Sequence, residues 1–499
     1  MDYVPVSSGS PWQAFYDVVF HPLAGVPGPF TWKISNQPLT VSIMRGNRAQ
    51  TLMALHRQYG PVLRVGPNEV SFADPGVYRQ IYSTRATAKD DRFYSNGRFR
   101  NHDNIFSMRQ EWRLSKNKAE HSARRKILNL VFSQQKLLEN QDFVVERSRA
   151  LVRRISEASQ INGRYGTPTA AIFELLGLFS VEVICKFTFG FEFEDDTMKA
   201  GLAFLRGMEN SAARLPLNAN FPFLDSCGIG KRLPGAIGAA YRGFEVWENM
   251  NRELLVEFQR RSRDEAKAQG QNLFAIPLLD ATDQYQGRQL TTSEVEEEIM
   301  GITFAGSGTT SNTLAFLIYA LSRPEGQCYQ DELRKELLAN GGDYFTIKDL
   351  PYLKAVIKET LRLFPTIVST LPRILDTDQM IAGFNLPKGT VVGMQNYVHH
   401  RDPVLFPRPD EFIPDRWLNE DTKNLNDALT PFSLGNRNCI GQNLAMIEIC
   451  IAVSEVFRSL RLTLNKSMSE DDMEIEDRFA AAPRGRKLLV DVDILSKQM

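Results

Sequence analysis

Apolar residues of the stretch "RAQTLMALHRQYG" recur at helical spacing, and Gly60 closes the pattern as a helix C-cap would. The next residues, "PVLRVGPNEVSFAD", alternate apolar and polar positions around Gly66-Pro67, which predicts a β-hairpin. From Asp103 to Pro324 helical spacing dominates, broken by the loops "NGRYGTP" and "DSCGIGKRLPG". The stretch "TTSEVEEEIMGITFAGSGTTSNTLAFLIYALSRPEG" predicts one long helix, with Ser293 and Glu296 as its capping box and Pro324 beyond its end. From "TIVSTLPRIL" to "VHH" the pattern shortens into β-rich runs with Gly/Pro turns. A further apolar helix, "QNLAMIEICIAVSEVF", and a strand-like "GRKLLVDVDIL" close the chain. No repeat or low-complexity linker divides it. The expected architecture is mainly α with small β-sheets at one side, in a single large domain.

Composition changes this picture little. The 499 residues are 43% hydrophobic, enough for a large core. Lys plus Arg and Asp plus Glu are equal at 59 each, so no excess charge invites nucleic acid. Five scattered cysteines without a C-x-x-C pair argue against a disulfide framework or zinc module, and for a reducing compartment. The glycines of "DSCGIGKRLPG" are wrongly spaced for a phosphate loop. The N-terminus has no basic n-region and no run of about 18 apolar residues. Trp12 to Phe20 is expected to form a helix covering the fold, with contact to a membrane surface as the alternative.

Chemistry concentrates in "PFSLGNRNCIGQNLAM". Gly435 and Gly441 let the backbone turn sharply around Cys439, just ahead of a helix. Helix N-terminal amides and the Arg437 cation would hold the thiol deprotonated, as a nucleophile or a metal ligand. A nucleophile needs a base, yet no histidine lies between His400 and Cys439. A single thiolate on a metal needs a cofactor that supplies the other ligands, as haem does. A hydrolase built on Ser307 lacks a G-x-S-x-G elbow.

The string Phe432-x-x-Gly435-x-Arg437-x-Cys439-x-Gly441 resembles the haem-binding signature of the cytochrome P-450 superfamily. Glu359 and Arg362 in "KETLRLFP", with Arg416 in "FPRPDEFIPDRW", resemble its Glu-x-x-Arg pair and the later arginine that locks to it. The resemblance, in the order of the fungal microsomal members, runs from Pro27 to Val490. It implies a cytochrome P-450 fold, with residues 1–30 a leader and Pro-rich hinge and 31–499 the catalytic domain. It implies haem b (iron protoporphyrin IX) with Cys439 as axial ligand, and Phe432 and Gly441 beside it. Arg125, Arg373, Arg437 and His121 match the propionate-binding positions. "AGSGTT" resembles the element above the haem: Ala305 and Gly306 give oxygen room, and Thr309 meets it. The family's acid position is Gly308 here, and Glu296 to Glu298 are expected to be solvated.

The expected reaction is therefore a monooxygenation of a lipophilic molecule with O2 and electrons from an NADPH-cytochrome P-450 reductase, in secondary metabolism. The site is expected to be intracellular, at the endoplasmic reticulum surface if peripheral and otherwise cytoplasmic. Gly308 keeps open an oxygen-independent isomerase or dehydratase, or a ligand-binding haem protein. Pocket-lining residues implied by the resemblance are Phe99, Phe106, Met108, Ile302, Phe304, Ile367, Val368 and Phe479 to Ala482.

Overall fold

The computed structural model describes residues 10–83, 87–100, 102–108, 117–162, 168–193, 198–340, 343–419, 421–478 and 480–495. The helices that matter for the site are α1 (Pro11–Val19), α2 (Arg48–Tyr59), α3 (Asn117–Asn129), α4 (Gln141–Asn162) and α5 (Phe173–Phe189). They continue as α6 (Met198–Asn220), α7 (Gly235–Glu257), α8 (Thr292–Ser322), α9 (Gln327–Ala339), α10 (Pro351–Leu363) and α11 (Gln442–Ser459). α8 runs through the main core and packs against α5, α7, α10 and α11. Most of its length is buried on all sides, as its weak polar/apolar segregation requires.

Strands β1 (Val62–Gly66) and β2 (Glu69–Phe72) form the expected hairpin. They join β3 (Thr87–Lys89), β5 (Arg373–Leu375) and β6 (Val391–Met394) in a sheet of order β1-β2-β6-β5-β3, in which only β2 and β6 run parallel. β4 (Thr169–Ala171), β7 (Leu460–Leu464) and β10 (Leu489–Ile494) form a second sheet. β8 (Ile475–Arg478) and β9 (Ala480–Pro483) pair as a hairpin. Gly60 adopts φ 99 after α2, as a C-cap glycine does.

Two expectations are corrected. The capping box of α8 is Thr291 with Glu294, not Ser293 with Glu296: Glu294 N donates to Thr291 Oγ1 (3.3 Å) and Thr291 N to Glu294 Oε2 (2.7 Å). Both pairs fit the S/T-x-x-E spacing, but Glu294 is also gripped by Arg288 and Gln286. The second correction concerns α1, which does not cover the fold with its apolar face. Trp12, Phe15, Tyr16, Val19 and Phe20 all point outward, Trp12 81% exposed, while Asp17 is buried. The inward side is polar because Gln13 binds Asp17 and Arg64 donates to the Asp17 carbonyl at 2.7 Å.

Candidate active site

The loop from Phe432 to Gly441 is held from both ends. Cys439 N donates to the Phe432 carbonyl (2.9 Å), and a short 3-10 turn, Gly435–Arg437, lies between. Gly435 has φ 73, and a Cβ there would sit 2.7 Å from the Tyr82 carbonyl, so only glycine fits. At Gly441, by contrast, a Cβ would meet Cys439 Sγ at 3.9 Å, an ordinary contact. Phe432 is half-buried against the main core.

The Cys439 side chain is accessible although protein surrounds it, so its sulfur faces an interior space. Burial raises its pKa; the backbone amides of Gly441 and Gln442 and the charge of Arg125 oppose that rise. The expected amide stabilisation is thus present, but the cation beside the sulfur is Arg125 and not Arg437. Arg125 also braces the loop, donating to the carbonyls of Asn436 (3.1 Å) and Asn438 (2.9 Å) and to Asn438 Oδ1 (2.6 Å).

Behind the loop the charges are closed upon one another. Glu359 accepts from Arg362 twice at 2.9 Å, from Arg416 Nε at 3.1 Å, from Ile413 N at 2.8 Å and from Trp417 Nε1 at 2.9 Å. Arg362 spends its other N–H groups on the carbonyls of His400, Pro409 and Glu411. The neighbouring histidines carry this frame to the cysteine loop. Thr430 N donates to His400 Nε2 at 3.0 Å, and Thr430 Oγ1 bonds His399 Nε2 at 2.9 Å. The bonds of Trp417 to Glu359 and of the two histidines to Thr430 are not legible in the sequence.

In front of the loop lies a second cluster, made of Lys89 from β3, His121 and Arg125 from α3, Arg373 from β5 and Arg437. Lys89, Arg125, Arg373 and Arg437 each disfavour the charged form of at least one other member. Burial, Arg437, Lys89 and Arg125 push His121 down to about 2, and burial and Arg373 push Arg437 down to about 10. Burial and the same arginines push Lys89 far down. Of the nearby carboxylates, Asp103 is engaged with Arg98 and Asp90 with Arg92, while Glu120 favours the charged Arg437 from a distance. Among the described residues none of these five basic side chains forms an ion pair. Arg373 binds Tyr94 Oη, Lys89 binds the Phe106 carbonyl, and Arg437 reaches the Met108 carbonyl at 3.5 Å. Lys89 was the member that sequence alone did not point to.

On α8, Ala305 is accessible although Thr303 and Ser307 beside it are wholly buried. Thr309, one turn on, donates Oγ1 to the Ala305 carbonyl at 2.7 Å. Thr313 binds the Thr309 carbonyl (2.9 Å) and Thr366 Oγ1 (2.8 Å). Gly306 does not share this open face: a Cβ there would lie 2.6 Å from Ile184 Cδ1, so its smallness seats α5 against α8. Gly308 meets only Met208 Cε, at 3.6 Å from an added Cβ.

An aromatic trio stands on the same helix side of the core. Phe99 lies 5.1 Å from Trp247 and 5.3 Å from Phe304, with Trp247 and Phe304 5.9 Å apart between ring centres. Ile367 and Ala480 form an isolated β-bridge that joins two of the expected pocket segments. Met108, Ile302 and Val368 are buried in the packing, and the Phe106 ring packs tilted against Tyr94, with Lys89 over it. Phe479 lies outside the described residues.

The sequence matches the cytochrome P450 family over residues 26–490. The chain belongs to that family. It is 27% identical to "Cytochrome P450 monooxygenase tazI" of Aspergillus terreus, covering 96% of this chain and 95% of the relative. It is 30% identical to "Cytochrome P450 monooxygenase cypX" of Dothistroma septosporum, over 94% of this chain and 90% of the relative. "Cytochrome P450 monooxygenase BOT1" of Botryotinia fuckeliana is also 30% identical, over 89% and 86%. The solved structure of the retinoic acid bound cyanobacterial CYP120A1 superposes with TM-score 0.70 at 19% identity, covering 88% of this chain and 93% of that one.

This P450 is a haem-thiolate monooxygenase. The donor set fits the cofactor: an accessible cysteine sulfur on one side, and basic side chains that among the described residues have no carboxylate partner and suit two propionates. It uses O2, an external electron supply and a lipophilic substrate.

Proposed function

We propose that this P450 hydroxylates, epoxidises or desaturates an apolar secondary metabolite, with electrons from an NADPH-cytochrome P450 reductase that docks on the Cys439 side. The observation that carries the reading is the open face of Ala305 and Thr309 in a helix otherwise closed by packing. Bound haem supplies the oxygen-activating redox chemistry. The protein's part is to bind, orient and handle protons. Arg373, Arg437, His121 and Lys89 hold the propionate edge, and Arg125 keeps the cysteine loop in place. Phe99, Phe304 and Trp247 exclude water from an apolar substrate. Thr309 gives its own proton to the Ala305 carbonyl, which leaves its oxygen lone pairs free to accept a proton donor from the open side.

Gly308 supplies no carboxylate, so protons reach Thr309 through water. The names of the fungal relatives favour an oxygen-consuming reaction over an isomerisation. The test is reconstitution with the reductase, NADPH and candidate lipophiles, read by oxygen uptake and by mass spectrometry of products. Product formation in the absence of oxygen would overturn the monooxygenase reading of the turnover.

The apolar stripe of α1 supports peripheral contact with the endoplasmic reticulum surface, where aromatic side chains with polar tips are at home. Among the described residues no helix is long and apolar enough to cross a membrane. Flotation with phosphatidylcholine vesicles, comparing the protein with its Trp12→Ser/Phe20→Ser variant, checks this contact.

A further inference from the structure

The three consecutive glutamates of α8 are not solvated, as their sequence predicts, but face residues 97–100 and 102–108. Glu297 is wholly buried and accepts three hydrogen bonds at 2.8 Å: from Phe99 N, Arg100 N and Asn104 Nδ2. Glu298, also wholly buried, accepts from Ile105 N at 3.1 Å and pairs with Arg124, which reaches Asp283 as well. Glu296 binds the Arg100 side chain, which Glu248 holds from α7 at 2.6 Å. Burial raises the carboxyls of Glu297 and Glu298, while these donors pull them back.

The amides that Glu297 takes up have no strand or helix partner of their own. Without the carboxylate they would be buried donors with nothing to bind. The segment they anchor touches both halves of the site. Phe99 builds the aromatic wall with Trp247 and Phe304, while the carbonyls of Phe106 and Met108 receive Lys89 and Arg437. Asn104 lies flat on the helix at Gly301, where an added Cβ would come within 3.4 Å of it.

We propose that Glu297, assisted by Glu298, is a specificity-determining positioning residue: it locks the stretch bearing Phe99, Arg100 and Asn104 as the wall of the site and so selects apolar ligands by size. The size selection rests on the haem-site reading given above; the lock itself does not.

The experiment compares the haem-loaded protein with its Glu297→Gln variant, which keeps the shape and loses the charge. Hydrogen exchange of the amides of Phe99 and Arg100 should quicken by roughly tenfold or more. Exchange at Tyr352 and Leu353, whose amides Glu336 clamps in the same manner at 2.8 and 2.9 Å, should not change. In optical titrations the Kd for imidazole, too small to reach the wall, should stay within about twofold, while that for clotrimazole should weaken about tenfold. Unchanged exchange at Phe99 and Arg100, or equal weakening of both azoles, overturns the proposal. Should Glu297→Gln fail to fold, Asn104→Ala removes one of the three donors and carries the same expectation at smaller size. If neither azole alters the spectrum of the parent protein, the haem-site reading falls, and the exchange measurement still decides the lock.

Discussion

Two buried clusters of charge in this P450 are built on opposite plans. Around Glu359 every charge has its partners inside the protein: both carboxylate oxygens accept several donors, and Arg362 and Arg416 end on backbone carbonyls. Around Lys89, His121, Arg373 and Arg437 basic groups crowd one another, the His121 ring held neutral among them, with no anion of the described residues paired to any of them. The first arrangement is complete without a guest and serves as frame. The second, among the described residues, has no counter-anion of its own and suits an anionic guest. A cluster whose balance closes within the chain marks architecture, and one whose balance does not marks a binding site.

The largest effect expected from breaking this contrast lies in the closed cluster. Glu359→Gln leaves two buried guanidiniums short of their counter-charge, which costs about 3–5 kcal/mol. Chemical denaturation and soluble yield should both show it, with or without added haem. A variant that matched the parent in stability would mean that this frame is not a closed unit.

The open cluster should answer to pH. Folding holds the His121 ring neutral, its pKa pushed from 6.5 down to about 2 by burial and by its cationic neighbours. Above the unfolded value nothing is lost. As pH falls below it the unfolded chain takes up a proton that the folded chain refuses, so stability drops, by roughly 2 kcal/mol at pH 5. His121→Gln should flatten the stability-against-pH slope of the haem-free protein by about one proton between pH 6.5 and 4.5. With haem bound, the propionates favour the charged ring and the difference between the two proteins should shrink. An equal slope in both proteins, haem-free, would show that the ring is not under cationic pressure.

Much of this was legible beforehand, and the reason is local chemistry. Cys439 announces itself because glycines, an arginine and a helix start lie within a few residues of it. Glu359 and Arg362 share a helix face, and Thr309 sits in a run too small and polar for a core helix without purpose. What stayed hidden depends on partners far away in the chain. Lys89 belongs to a three-residue strand whose neighbours come from three other elements. Glu297 looks like a solvated helix charge until the stretch bearing Phe99, Arg100 and Asn104 folds over it. The spacing of apolar residues in α1 shows that the helix has two faces, but it does not say which one looks outward; Arg64 and Gln13 decide that.

A smaller test separates the two plans within the open cluster. Arg437→Met removes a cation whose hydrogen bond is a long 3.5 Å contact. The haem-free protein should gain about 1 kcal/mol as like-charge pressure is relieved. Haem transfer to an excess of apomyoglobin should meanwhile speed up about tenfold, as the proposed role of Arg437 as a propionate partner requires. Loss of stability in the haem-free protein would place Arg437 in the frame rather than in the site.

The smallest effect concerns two glycines that differ only in what stands opposite. At Gly306 an added methyl meets Ile184 at 2.6 and 2.8 Å, so Ile184 must shift or the helices must part. Overpacking of that kind costs about 1–3 kcal/mol, more than the roughly 1 kcal/mol that alanine gains over glycine inside a helix. Gly306→Ala should therefore destabilise by about 1 kcal/mol. At Gly308 the same methyl finds only Met208 at an ordinary 3.6 Å, so Gly308→Ala should stabilise by up to about 1 kcal/mol. Thermal unfolding of the pair should move in opposite directions. If both variants lost stability, Gly308 would belong to the packed side of α8, and the space beside Thr309 would not be open to a carboxylate or to water.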